Sequence, residues 1–336
     1  MKKLAELVRR SQNILLTTHR QCDGDGLGAE LAVFHALKKM GKNVFVVNVD
    51  RTPKKYHFLN PESHILSFEE HPEWSHTMDL ALIMDTNDER LVEPLYTRLK
   101  QICRKIAFVD HHPVLTKGPH PSVESVIDIT AASTGEMAYK LIKELGVDMD
   151  KNIARCLYTS ITFDTQLYRY IRNSPNSHRI AAELLDHKID TENIHRSLFG
   201  NQTVQKMAFL ARALGQIEYF CEGRMAVLRL RDADLFHYNL EPDESRDVID
   251  MIMNIETLEV AALFREEAID QYKVSLRSKG QIEVLSMAEV LGGGGHMFAA
   301  GALVKSPYLS LKDKVVRELS ESLDKVDGSK RRMTGS

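Results

Sequence analysis

The feature that most restricts the fold of this chain is a short apolar run that repeatedly closes on a histidine or an acid. Residues 13–18 precede His19-Arg-Gln-Cys-Asp23-Gly-Asp25, residues 80–84 precede Asp85, and residues 106–109 precede Asp110-His111-His112. A further apolar run covers 44–49, and the stretch 28–39 carries Leu31, Phe34 and Leu37 at helical spacing. Strand-like runs alternating with helix-like stretches over about 130 residues predict an α/β domain, a parallel sheet with helices on both faces. Ligands of such sheets bind beyond the carboxyl ends of the strands, which is where these acids and imidazoles fall.

A length of 336 residues is about twice the common domain size and predicts two domains. The pattern turns helical from Ser133 to about Lys188. Ser133-Thr134-Gly-Glu136 reads as a capping box, with Ser133 as N-cap. That reading outranks substrate contact for Ser133 and Thr134. Asn173-Ser-Pro175-Asn-Ser177 reads as a turn before another helix. The expected organisation is a catalytic α/β domain over 1–188, a helical connector over 189–214, a smaller α+β domain over 215–326 and a disordered tail over 327–336. Within the smaller domain, 225–230, 260–265, 272–277 and, more weakly, 300–304 read as strands, with helices at 244–254 and 309–323.

The chain has 47 acidic against 44 basic residues, a net charge of -3. It lacks the basic excess with which proteins grip long nucleic acid, so a phosphate-bearing substrate is expected to be short. No apolar stretch approaches the ~20 residues that span a bilayer. Ile14-Leu15-Leu16 is too short for the core of a signal peptide. Four scattered cysteines (Cys22, Cys103, Cys156, Cys221) form no CxxC pair, and a reducing cytoplasm is the expected location.

His19, Asp23 and Asp25 are expected in a loop that Gly24, Gly26 and Gly28 allow to turn tightly. An extended loop would splay Asp23 and Asp25 toward different metals. Asp85 is placed to bridge them, one imidazole of His111-His112 binds metal while its neighbour faces substrate, and Asp164 completes the set from a helical segment. Any one of these acids alone is more often a turn or N-cap residue. Their joint occurrence, mostly at the mouth of one sheet, argues for a metal centre. Imidazole and carboxylate without thiolate favour Mn²⁺, with Mg²⁺, Co²⁺ or Zn²⁺ as options. Two such ions ~3.5–4 Å apart suit phosphoester or phosphoanhydride hydrolysis. The run Gly292-Gly293-Gly294-Gly295-His296, between ordered-looking flanks, reads as a tight phosphate-binding turn.

The four N-terminal motifs resemble the DHH phosphoesterase superfamily. The glycine run with Ala299-Ala-Gly301, and Leu276-Arg277-Ser278-Lys279-Gly280 before it, resemble the DHH-associated C-terminal domain. Together they span 15–305 and are most similar to the nanoRNase (oligoribonuclease) and pAp phosphatase branch. The resemblance implies that His19, Asp23 and Asp85 hold one metal, and Asp25, Asp85, His111 and Asp164 the other. It further implies that His112 faces the scissile phosphate or leaving group while Asp110 orients an imidazole. Backbone N–H groups of Gly293, Gly294 and Gly295, with Arg277, Ser278 and His296, would hold the substrate, Arg277 through its planar fork. Arg265 and Lys279 are weaker candidates. The implied substrates are short oligoribonucleotides and linear dinucleotides such as pGpG and pApA, with pAp conversion to AMP, and homodimers are common among the look-alikes. Two residues depart from the family pattern: Cys22 stands where proline is usual and Gln166 where glycine is common. Competing readings are a cyclic-dinucleotide phosphodiesterase and a non-catalytic nucleotide sensor, whose mark would be a missing ligand; every ligand is present. Family-II pyrophosphatases lack the Gly-Gly-Gly-His run, and RecJ-type exonucleases are longer chains.

Overall fold

The computed structural model describes residues 1–59, 64–114, 121–200, 202–240, 245 and 248–334, with side chains described as far as 326. The chain divides into two compact units, Met1–Asn201 and Gln202–Ser336.

The first unit runs α1 (Lys2–Arg10), β1 (Asn13–Thr18), α2 (Gly24–Lys39), β2 (Asn43–Asn48), β3 (Ile65–Ser67), β4 (Met78–Met84), α3 (Leu95–Ile102), β5 (Cys103–Asp110), β6 (Val126–Ile127), α4 (Thr134–Leu145), α5 (Lys151–Asp164), α6 (Asn176–Leu185) and α7 (Thr191–Phe199). Its six strands are all parallel, in the order β3-β2-β1-β4-β5-β6. Alternate residues feed two cores. Ile14, Leu16, Leu80, Leu82 and Met84 pack on the α2, α4 and α5 side, while Leu15, Ala81, Ile83 and Phe108 pack on the α3 side with Trp74. Both faces are buried, which is why these strands read as continuous apolar runs rather than alternating ones. The chain lays strands outward from β1 in one direction, then returns to β4 and continues in the other. The order therefore reverses between β1 and β4, and a crevice opens at their carboxyl ends. Thr18 is paired with Met84, so His19 and Asp85 leave the sheet side by side.

Two local expectations are corrected. The glycines at 24, 26 and 28 do not make a loop: Asp23 is the N-cap of α2, and Asp25 already lies in its first turn. Their value is close approach. A Cβ on Gly28 would sit 2.6 Å from the Cys156 carbonyl oxygen, so α2 and α5 pack backbone to backbone there. The capping box is half formed. Ser133 Oγ accepts the Glu136 N–H, but the Glu136 carboxylate accepts from Ser177 Oγ at the start of α6.

The second unit contains α8 (Val204–Leu214), β7 (Glu218–Phe220), β8 (Met225–Leu230), α9 (Asp232–His237), α10 (Val248–Ile252), β9 (Val260–Ala268), β10 (Gln271–Ser278), α11 (Leu285–Val290), β11 (Gly294–His296), β12 (Ala299–Lys305) and α12 (Tyr308–Thr334). Its sheet has the order β11-β12-β10-β9-β8-β7, antiparallel except for the β8–β9 pair. One face packs on α11 and α12, the other on α8, α9 and α10. The glycine run is not simply a turn, since Gly294 to His296 pair with β12 as an edge strand. The backbone of α12 continues helically to Thr334, through most of the segment expected to be disordered. The expected connector consists of α7 and α8, one on each side of the division. Of the helix expected over 244–254, only α10 is seen, and residues 244, 246 and 247 lie outside the described residues.

Candidate metal centre

The site forms where β1, β4 and β5 end and where the first turns of α2 and α4 and the last turn of α5 converge. His19 and Asp85 follow β1 and β4, Asp110 ends β5, and Asp164 ends α5. Two of the candidate ligand groups among the described residues together hold all six predicted ligands. In one, atoms of His19, Asp23 and Asp85 lie within 4.8 Å of one another; in the other, atoms of Asp25, His111 and Asp164 do. Asp85 stands between them. Its Oδ2 is 3.5 Å from His19 Nε2, and its Oδ1 is 3.7 Å from His111 Nε2. Asp25 Oδ2 and Asp164 Oδ2 each lie 3.5 Å from the same His111 nitrogen. The backbone of Asp85 is left-handed, with φ of 63°, a costly conformation for a non-glycine residue that persists where surrounding structure enforces it.

The imidazoles are aimed from behind. His19 Nδ1 lies 2.8 Å from the Arg20 carbonyl oxygen, which can only accept, so Nδ1 carries a proton and the Nε2 edge of the ring faces the cluster. Asp110 holds His112 in the same sense, with His112 Nδ1 2.7 Å from Asp110 Oδ1. Burial alone would lower the His112 value, but the adjacent Asp110 carboxylate outweighs it and lifts His112 to about 9. Asp110 moves the other way, below its usual range despite burial, because the imidazoles beside it favour the ionised form. Asp110 is thus an orienting group for His112, with its remaining oxygen accepting from Asn87 Nδ2 at 2.6 Å.

The acids are crowded, with Asp25 and Asp85 buried and Asp23 and Asp164 half-buried. Burial pushes Asp25 up to about 7, against hydrogen bonds from Ser160 and Thr134. Asp85 rises well above the carboxylate range through burial and then repulsion from Asp25 and Asp23, and Asp164 rises through burial and then Asp25. Burial lowers His111 to about 3, so its ring is neutral. Packed carboxylates that repel each other, beside neutral imidazole nitrogens, are the donor set that a divalent cation neutralises. The residues fit the metal chemistry expected of them.

Sequence reasoning missed the residues that hold the carboxylates. Asp25 accepts from Thr134 N at 2.8 Å, from Gly135 N at 3.1 Å and from Ser160 Oγ, so the amino end of α4 points at it. Thr134 Oγ1 donates to Asp85 Oδ1 at 2.9 Å. Thr134 therefore does more than follow a cap: it ties one ligand of each group to α4. Ser160 precedes Asp164 by one helical turn, a spacing that places both on one face of α5, and this signal was available. Arg172, on the segment between α5 and α6, donates from Nη1 to the Ile129 carbonyl at 2.6 Å and brings Nη2 to 3.4 Å from His111 Nδ1. Gln166, at the position where glycine is common in the family it resembles, sits at φ of 46°. The family's residue is the one with no Cβ penalty at that backbone angle, and this chain bears the strain instead. Cys22, the other departure, is fully buried as a small apolar side chain.

In the second unit the substrate candidates occupy one end of the sheet. Arg277 and His296 are both in register with Ala299, from opposite sides, so they share a row and a face of the sheet. Arg277 Nε donates to Asp250 Oδ1 at 3.1 Å, and Ser278 Oγ accepts the N–H groups of Gly280 and Ile282 at 3.2 and 3.3 Å. Gly295 has φ of 138°, and a Cβ on Gly293 would lie 2.6 Å from Ala302 Cα, so neither position takes another residue without a shift. Arg265, a weaker candidate, is buried against Glu267 and does not present its charge to solvent. Lys279 donates to the carbonyls of Ile255 and Glu256.

A family model described as "DHH family, N-terminal domain" matches residues 13–161, and one described as "DHHA1 domain" matches 222–326. Among curated proteins, the bifunctional oligoribonuclease and PAP phosphatase NrnA of Thermus thermophilus is 27% identical over 330 residues, covering 97% of this chain and 95% of that protein. An exopolyphosphatase-related protein from Bacteroides fragilis superposes with a TM-score of 0.83 at 22% identity, over 95% of this chain and 94% of that one. RecJ from Thermus thermophilus, in complex with Mn²⁺, gives a TM-score of 0.57 at 16% identity, over 96% of this chain and 54% of that one. These two structures are similar in fold. Among the described residues no helix is long and apolar enough to cross a membrane.

Proposed function

Because this chain belongs to the DHH family and carries a DHHA1 domain, we propose that it is a two-cation phosphodiesterase. On this reading it hydrolyses short oligoribonucleotides and linear dinucleotides such as pGpG and pApA to mononucleotides, and pAp to AMP. The observation that carries the reading is Asp85, whose two oxygens face two separate histidine–carboxylate groups. The named activities of its full-length curated relative support the substrate class. His19, Asp23 and Asp85 would hold one cation, and Asp25, Asp85, His111 and Asp164 the other. Mn²⁺ is the proposed ion, with Mg²⁺ or Co²⁺ as substitutes. Two such cations supply an acidified water and neutralise charge at the phosphorus centre.

The protein's own residues do the rest. His112, oriented by its hydrogen bond to Asp110, stands beside the cluster, where it would supply a proton to the leaving oxygen. Asn87 fixes the Asp110 carboxylate and also donates to the His112 carbonyl at 3.0 Å, so the acid cannot swing away. Arg277, Ser278, His296 and the backbone N–H groups of Gly293, Gly294 and Gly295 would grip the substrate's far phosphate or sugar. The substrate is proposed to be short, in keeping with a net charge of -3, with no long nucleic acid as partner. A cytoplasmic homodimer is part of the proposal, and light scattering would measure the dimer.

The test is a substrate panel assayed with Mn²⁺: pAp, pApA, pGpG, cyclic dinucleotides, and RNAs from a few residues to long chains. Linear dinucleotides and the shortest RNAs are expected to turn over fastest. Preferential cleavage of cyclic dinucleotides would replace the substrate assignment, and no turnover of any member would remove the enzymatic one.

A further inference from the structure

His111 Nδ1 faces two groups with opposite demands. The Ala131 carbonyl oxygen, 3.3 Å away, can only accept a hydrogen bond, and Arg172 Nη2, 3.4 Å away, can only donate one. A neutral imidazole carries one N–H, so Nδ1 serves these neighbours one at a time, and the choice decides Nε2. When Nδ1 donates to Ala131, Nε2 turns a lone pair toward Asp25, Asp85 and Asp164. When Nδ1 accepts from Arg172, Nε2 turns an N–H toward the same three carboxylates. A cation needs the first arrangement. A carboxylate cluster without one is better served by the second, which gives it a donor.

We infer that His111 changes tautomer when the Asp25–His111–Asp164 group takes up a cation, and that Arg172 is the positioning residue that holds the unloaded form. The inference rests on the two-cation reading above. The ring keeps one proton throughout: Nε2 gives its proton to water and Nδ1 takes one from water. Loading releases Arg172 Nη2, while Nη1 stays on the Ile129 carbonyl. That remaining hydrogen bond, at 2.6 Å, keeps the guanidinium beside His111. The released N–H groups then lie beside the cation centre, in a geometry suited to a phosphate oxygen. Cation uptake would thus ready an anion contact, placing metal before nucleotide in the binding order.

The experiment is ring-nitrogen NMR on isotopically labelled histidine, metal-free and then titrated with diamagnetic Zn²⁺, with Mn²⁺ calorimetry on wild type and Arg172→Met. The His111 signal is assigned by its loss in His111→Gln. Wild type is expected to show Nε2–H at His111 before loading and Nδ1–H after. Arg172→Met is expected to show Nδ1–H in both states, to bind Mn²⁺ about tenfold more tightly and to have a raised KM for pApA. Nδ1–H in metal-free wild type, or unchanged Mn²⁺ affinity in Arg172→Met, would overturn the inference and leave the phosphodiesterase reading standing. Failure of wild type to bind either cation would overturn both.

Discussion

The two halves of the molecule carry their functional residues in opposite ways. In the first unit Asp25, Asp85 and His111 are buried, and each carboxylate is held by backbone or hydroxyl donors from another element. In the second unit Arg277 and His296 lie part-exposed at one end of a sheet, and among the described residues Arg277 has one carboxylate partner, Asp250. On the proposed function, the difference follows from what each region would bind. A cation pair would tolerate little displacement of its ligands, which suits carboxylates fixed by several donors. A nucleotide would have to enter and leave, which suits donors that stay reachable.

The contrast can be broken at several points. The largest effect is expected at Asp85. Asp85→Asn keeps a residue that tolerates a left-handed backbone and keeps the acceptor for Thr134, yet removes the charge between the ligand groups. A loss of turnover of about a thousandfold or more, with an unchanged circular dichroism spectrum, is expected; near-normal pApA hydrolysis would show that Asp85 does not bridge. Next is Ser160→Ala, which strips one donor from Asp25 without touching a ligand. Mn²⁺ affinity measured by calorimetry should fall about ten- to a hundredfold, and an unchanged affinity would show that the shell is looser than its geometry implies. Arg277→Ala tests the other side of the comparison: KM for dinucleotides should rise about tenfold with kcat largely preserved. If kcat fell instead, the second unit would be acting on the chemistry itself.

The smallest effect concerns a buried acid outside the centre. Glu30 is fully buried, with one oxygen accepting from Asn48 Nδ2 at 2.8 Å and the other without a hydrogen-bond partner. Burial pushes it from an ordinary 4.5 up to about 8. Because the folded value exceeds the unfolded one, the stabilisation is full below pH 4.5, declines as pH rises and is exhausted above about 8. Glu30→Gln cannot ionise. Its melting temperature relative to wild type should therefore climb across that window and then level off, and a flat difference would mean that Glu30 is already ionised when folded.

Much of this was legible along the chain. Strand-terminal polar residues are a local signal, since an apolar run and the polar residue that ends it are neighbours in sequence, and His19, Asp85 and Asp110 were readable on that basis. The weak points were equally local. Gly24, Gly26 and Gly28 suggested a loop, because glycine marks both tight turns and close helix contacts, and sequence alone does not separate the two. The short strands β3, β6, β7 and β11 were not anticipated, because a few residues offer too little periodicity. The helical backbone to Thr334 ran against the polar, glycine-containing composition of that segment.

Residue order by itself therefore determined the ligand types and the sheet mouth where they gather, since hydrophobic period and strand ends are properties of neighbouring residues. Tertiary structure alone decided which oxygen of Asp85 faces which imidazole. It alone brought Thr134 and Ser160 to Asp25 across 109 and 135 residues, and Arg172 to His111 across 61. Such contacts depend on how helices α2, α4 and α5 pack to within a side chain's reach. That fit is set by the shapes of many buried residues together, and no single stretch of the chain contains it.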